Sequence, residues 1–193
     1  MKLAIIDTET TGLDPETSVV LEFAALVIHP TEGHVIARYE TKIKPTEEEL
    51  RAAHPKALEV NGYTDEAWAD APTIEQVAPE IGTLLEGCVL VGHNVSFDEQ
   101  MLKAHLAAHG IEERIPYHKI DTVTLAYEHL TPLGLKSASL DRIREFLGWS
   151  KEGAHTAMKD VEDTANLFEL LWRMTPWQRF VLRLKLPDRK PTS

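Results

Sequence analysis

Lys2-Leu3-Ala4-Ile5-Ile6-Asp7-Thr8-Glu9-Thr10-Thr11-Gly12 passes from an unbroken apolar run straight into two acids one residue apart. A continuous run of this kind predicts a short strand, residues 2–7, covered on both of its faces. Gly12 and Pro15 then mark a turn over residues 10–17. Two further strands are predicted at residues 19–28 and 35–44, joined by the turn at residues 29–33. Connections this short make the first three strands antiparallel neighbours.

Helical patterns follow. Thr46 with Glu49, and Thr73 with Gln76, have capping-box spacing, and the second opens a helix reaching about Glu86. Residues 88–92 predict a fourth strand, and residues 97–109 a helix closed by Gly110. A short fifth strand at residues 119–122 leads into a helix. Further helices are expected at residues 139–147, ended by Gly148, and at 156–174, with Pro176 beyond. Three antiparallel strands followed by strand–helix alternation define an α/β fold: a mixed five-stranded sheet, its later strands parallel, flanked by helices. The pattern is compatible with a ribonuclease-H-like fold. Residues 1–175 form the expected domain and residues 176–193 a basic C-terminal extension whose last seven residues are expected to fray.

Composition narrows the function. One cysteine, Cys88, excludes an internal disulfide and fits a reducing compartment; its apolar surroundings make it a buried small hydrophobe. The first apolar run is too short for a signal peptide or a membrane span, so a cytoplasmic protein with no membrane association is expected. A net charge of −11 speaks against tight phosphate binding through Lys and Arg. It is compatible with a hydrolase whose site carboxylates are offset by bound cations. Positive charge gathers at the end, where Arg173, Arg179, Arg183, Lys185, Arg189 and Lys190 face a single acid, Asp188. There Trp177, Phe180, Val181, Leu182 and Leu184 alternate with the bases, as in a final helix covering the domain's own core or a segment docking a polymerase subunit. Tyr127, Trp149 and Trp172 are expected in the core.

Three segments could carry chemistry. Asp7 and Glu9, at i and i+2 of a strand, project to the same face. Two such close carboxylates repel unless a cation lies between them, and a hard divalent ion such as Mg²⁺ or Mn²⁺ suits oxygen ligands. Asp98 follows the fourth strand in the first turn of a helix that Asn94 or Ser96 can cap; a carboxylate there is also favoured by the helix dipole alone. Phe97 beside it is either core or a stacking surface for a base. In the last long helix the apolar stripe runs through Ala157, Val161, Ala165, Phe168 and Trp172. Asp160 falls roughly 100° from its centre, within reach of a cleft, Glu162 as far on the other flank, and Asp163 roughly 160° away as a solvated acid. His155, in a loop five residues before Asp160, can accept a proton near neutral pH.

Together these segments resemble the DEDD superfamily of 3′→5′ exonucleases, in its histidine branch, and are similar to the proofreading epsilon subunits of bacterial replicative DNA polymerases and their stand-alone homologues. The acidic motifs match at Asp7 and Glu9, at Asp98 and at Asp160, with His155 five positions before the last. Leu21-Glu22-Phe23-Ala24-Ala25, Val60-Asn61-Gly62-Tyr63-Thr64-Asp65 and Ser139-Leu140 look familiar too; Asn61 stands where such relatives often carry histidine. The resemblance, covering roughly residues 2 to 174, implies two divalent ions, Asp7 bridging them, Glu9 and Asp160 on one and Asp98 on the other. It implies His155 as general base, and a terminal-nucleotide pocket lined by Thr8, Thr10, Leu13 and Phe97. The expected partner is nucleic acid with a free 3′ end, single-stranded or frayed DNA above all, within a polymerase complex or outside one. An RNA trimmer of the oligoribonuclease or ribonuclease T kind shares these residues, and a non-catalytic binding module is disfavoured because every catalytic position is filled by a competent residue.

Overall fold

In the computed structural model, which describes residues 1–109 and 115–186, a single sheet runs in the order β3-β2-β1-β4-β5. Its strands are β1 (Lys2–Thr10), β2 (Val20–Ile28), β3 (Val35–Lys42), β4 (Cys88–Gly92) and β5 (Lys119–Asp121). β1 pairs antiparallel with β2 and parallel with β4; β2–β3 is antiparallel and β4–β5 parallel. The mixed sheet expected from the sequence is therefore present.

The helices are α1 (Glu47–Ala52), α2 (Pro55–Val60), α3 (Ile74–Leu85), α4 (Val95–Ala108), α5 (Thr122–His129), α6 (Leu140–Leu147), α7 (Ala157–Leu171) and α8 (Pro176–Lys185). Both expected capping boxes form, at Thr46 with Glu49 and at Thr73 with Gln76. The closing Gly110 and the tail from residue 187 onward lie outside the described residues.

Strand alternation sorts the core into two layers. Ala4 and Ile6 of β1, with Phe23, Ala25 and Val27 of β2, pack under α3 and α4 through Ile81, Met101 and Leu102. Leu3 and Ile5, with Ala24 and Leu26, face α7 through Ala157, Met158, Val161 and Phe168. A third cluster joins α5, α6 and α7 through Ala126, Leu130, Ile143, Phe146, Leu167 and Leu171. β1 is buried on both faces, as its apolar run requires, β2 is too, and Cys88 is buried. β1 extends three residues beyond its expected end at Asp7, because antiparallel pairing with β2 continues through Glu9↔Glu22 to Thr10↔Val20.

Several expectations for single residues need correction. Asp163 is not a solvated acid: it is 2% exposed. The angular reading assumed one buried face, whereas α7 is covered by the sheet on one side and by α5 and α6 on another. Tyr127 and Trp172 are exposed, at 58% and 38%, and only Trp149 packs, partly, against the third cluster. Asn94 occupies the N-cap of α4 in left-handed conformation (φ 71°) and makes no side-chain cap bond; Ser96 lies within the first turn. α8 covers core only in part. Leu182 and Leu186 pack on the third cluster, and Arg179 reaches His129 of α5 at 2.7 Å, but Trp177, Phe180 and Leu184 are exposed. Among the described residues no helix is long and apolar enough to cross a membrane.

Candidate active site

The parity of β1 sets the geometry. Leu3 and Ile5 point toward α7, so Asp7 and Glu9, two and four residues on from Ile5, continue that face beyond the core. Asp160, in the first turn of α7, meets them there: one carboxylate oxygen from each of Asp7, Glu9 and Asp160 lies within 4.8 Å of the others.

Asp98 arrives from the other side of the sheet. Parallel pairing of β1 with β4 stops at Ile5↔Val91, while β1 runs on. The backbone N–H of Thr8, beyond that last pair, donates to Asp98 Oδ1 at 2.9 Å, and the Thr8 hydroxyl donates to the same oxygen at 2.8 Å. The position of α4 depends on Gly92: a Cβ there would stand 2.8 Å from Val95 Cβ, closer than side chains approach. Thus α4 starts immediately against the end of β4 and delivers Asp98 to the strand end.

Burial and mutual repulsion raise the carboxyls of Asp7, Glu9 and Asp98 above their usual range. Desolvation pushes Glu9 up to about 8, reinforced by Asp160, Glu22 and Asp98. Asp7 is raised well above its ordinary value, by burial first and then by Asp98, Asp160 and Glu9, with Arg144 opposing. Burial lifts Asp98 to about 7 in spite of the two hydrogen bonds from Thr8. Such a set of clustered, desolvated oxygen donors fits a hard divalent cation, whose charge would relieve the repulsion.

His155 is half-exposed in the loop before α7, with its backbone in the left-handed region (φ 67°) beside Gly153 (φ 75°). Its N–H points to Asp160 Oδ1 at 3.3 Å, and its ring Nε2 lies 3.7 Å from Asp141 Oδ2. A non-glycine residue held at positive φ is strained by about 1–3 kcal/mol, a strain that clusters at functional sites.

The remaining expected residues divide. Thr8 and Thr10 are buried, and their hydroxyls are engaged within the protein, on Asp98 and on the carbonyl of Gly12. Leu13 is 84% exposed on the loop after β1, and Phe97 is partly buried against the α3–α4 layer. Asn61 at the end of α2 donates to the carbonyl of Thr10 at 2.8 Å, tying that loop down. Glu162 turns to Arg38 of β3 at 2.7 Å, away from the acidic cluster.

Three residues escaped sequence reasoning. Glu22, opposite Glu9 in the β1–β2 register, accepts from the N–H of Ala157 at 3.4 Å and so anchors the start of α7. On α6, Arg144 holds Asp160 and Asp141 faces His155. Glu22 could have been found from its acidic place in an apolar strand; Arg144 carried no signal, because an arginine in an amphipathic helix reads as surface.

A second group, Glu49, His105 and His109, also brings its ligand atoms within 4.8 Å. There the N–H of Val20 donates to His105 Nδ1 at 3.2 Å, which places the ring proton on Nε2, facing Glu49 at 3.7 Å. His105 therefore has no lone pair aimed at the centre, and burial pushes its pKa down to about 4, so it stays neutral. The group is a hydrogen-bonded brace between α1, α4 and β2.

The chain matches the exonuclease family model over residues 4–168. It is 35% identical over 165 residues to the PolC-type DNA polymerase III of Thermotoga petrophila, covering 85% of this chain and 11% of that one. It is 32% identical over 174 residues to the DNA polymerase III epsilon subunit of Aquifex aeolicus, covering 87% of this chain and 81% of the relative. The epsilon subunit of Treponema pallidum is 30% identical over 162 residues, with 84% and 72% covered. The chain thus spans about a ninth of the PolC-type polymerases it matches. Escherichia coli exonuclease I, solved with a dT13 oligonucleotide, shares the fold with a TM-score of 0.76 at 23% identity over 91% of this chain and 42% of that one. With the family model covering residues 4–168 and the ribonuclease-H-like sheet in place, the chain belongs to the exonuclease family, as the acidic motifs of its sequence indicated.

Proposed function

We propose that this protein hydrolyses DNA from the 3′ end one nucleotide at a time, releasing nucleoside 5′-monophosphates. Asp7, Glu9, Asp98 and Asp160 would hold two divalent ions, Mg²⁺ or Mn²⁺, and His155 would act as general base. The observation that carries the proposal is the convergence of Asp7, Glu9 and Asp160 within 4.8 Å, with Asp98 in the first turn of α4 bonded to Thr8 between Asp7 and Glu9. Divalent ions bound there would supply Lewis-acid stabilisation of the charge that develops on the scissile phosphate and the leaving 3′ oxygen.

The chain's own residues do the rest. The exposed ring of His155, in the loop before α7, receives the proton of the attacking water. Thr8 holds Asp98 by two hydrogen bonds, and Thr10 and Asn61 shape the loop that carries Leu13. Leu13 and Phe97 offer apolar surface for the terminal bases. DNA is the favoured substrate because the relatives are named as DNA polymerase III chains and exonuclease I was solved with a DNA oligonucleotide.

The test is incubation with Mg²⁺ or Mn²⁺ and 5′-labelled single-stranded DNA and RNA of matched sequence. A ladder shortening from the 3′ end, faster on DNA, lost in EDTA and lost in Asp7→Ala, is the expected result. Faster shortening of RNA would replace DNA by RNA as the substrate; no shortening of either would overturn the proposal for the free-standing chain.

A further inference from the structure

Arg144 is the largest fully buried side chain of the described residues, and it lies on α6 rather than in the acidic cluster. Its side chain is 1% exposed, yet it carries a full positive charge. Burying a guanidinium costs several kcal/mol unless charged partners surround it in good geometry. Here three do. Nε donates to Asp163 Oδ2 at 2.7 Å, Nη1 to Asp141 Oδ1 at 2.9 Å, and Nη2 to Asp160 Oδ1 at 2.6 Å. Lys159 holds the other oxygen of Asp163 at 2.8 Å, so that carboxylate is fully engaged and serves as the anchor.

Among the described residues, the other two aspartates are each hydrogen-bonded through Oδ1. Oδ1 of Asp160 takes both Arg144 and the N–H of His155, and a carboxylate oxygen of Asp160 also lies within 4.8 Å of Asp7 and Glu9. Oδ1 of Asp141 takes Arg144, while its Oδ2 is the atom facing His155 Nε2 at 3.7 Å. A planar guanidinium fixes such partners in direction as well as distance, which an ammonium cannot do. α6 itself is set against the sheet by His93 at the end of β4, whose Nε2 lies 2.6 Å from the carbonyl of Ala138.

The geometry points to Arg144 as a positioning residue that serves both halves of the site at once: it presents Asp160 to the metal and, through Asp141, orients the ring of His155. Asp141 favours the ring proton on Nε2 and leaves Nδ1 to accept the proton of water. The inference rests on the proposed roles of Asp160 and His155.

Mn²⁺ binding by calorimetry, steady-state cleavage of single-stranded DNA and thermal melting, on Arg144→Lys, Arg144→Met, Asp141→Asn and Asp160→Asn, test it. Arg144→Met is expected to lose about 10–100-fold in Mn²⁺ affinity, the range for removing a partner of a ligand, with partial rescue in Arg144→Lys. Asp141→Asn should bind Mn²⁺ like the wild type and lose on the order of tenfold in kcat with KM unchanged. A residue that only staples helices would lower the melting temperature and leave this split unmoved. Wild-type Mn²⁺ affinity in a folded Arg144→Met, or wild-type kcat in Asp141→Asn, overturns the inference. Should both Arg144 variants fail to fold, the kcat of Asp141→Asn decides. Undiminished Mn²⁺ binding by Asp160→Asn would instead overturn the ligand assignment beneath it.

Discussion

At the scale of single residues, the site is a set of groups in environments that oppose their ordinary ionisation. Glu9 is pushed up to about 8 and Asp98 to about 7 from ordinary values of 4.5 and 3.8. In the folded, metal-free protein these groups keep their protons at pH values where the unfolded chain has already lost them. Their contribution to stability is therefore complete below about pH 4 and disappears as pH rises through about 7 to 8. In EDTA the melting temperature should be lower at about pH 8.5 than at about pH 6, and Glu9→Gln, which cannot titrate, should show a smaller drop. Mn²⁺ binds the ionised form, so its affinity should rise over the same interval, checked by calorimetry at both pH values. His155 behaves differently, since only its backbone N–H touches Asp160. His155→Asn, which suits the left-handed backbone there, should bind Mn²⁺ as the wild type does and lose about 10²–10⁴-fold in kcat. Wild-type cleavage by that variant would remove histidine from the mechanism.

At the scale of elements, the site exists because three of them end at one place. β1 runs on past β4, α4 turns back directly from β4, and α7 begins over the same face. Gly92 is the tightest of these joints, with Val95 Cβ 2.8 Å from where a side chain would begin. Gly92→Ala should push the first turn of α4 outward, costing about 1–3 kcal/mol by overpacking and weakening Mn²⁺ binding with it. Melting and calorimetry together check this, and a variant less stable but with unchanged Mn²⁺ affinity would show that α4 does not need this contact to place Asp98. The helices themselves were largely legible: the capping boxes at Thr46 and Thr73 formed where their spacing put them. α2, Pro55–Val60, was not read at all, being too short for a periodic stripe to emerge.

At the scale of the whole molecule, the acidic balance and the fold are reconciled by where charge is placed. With a net charge of −11, the acids that matter are gathered at the strand ends. A bound divalent ion should stabilise the entire domain: at a hundred times its dissociation constant the gain is about 2.7 kcal/mol, visible as a rise in melting temperature that Asp7→Ala abolishes. Equal melting with Mn²⁺ and with EDTA would mean that the cluster holds no ion. The sequence by itself determined the class of fold and the Asp7–Glu9 pair, because period-two alternation and the apolar run of β1 are local properties that survive without tertiary information, and the family through the resemblance of its acidic motifs. It also marked Asp98, Asp160 and His155, through motif rather than through geometry. Only the tertiary structure decided that Asp163 is buried, that Tyr127 and Trp172 are exposed, and that Arg144 joins Asp160 to Asp141. A helix's angular pattern describes one covering surface, whereas α7 is covered on two sides. The partner of a buried charge comes from an element 16 residues away in sequence, beyond the reach of any local period.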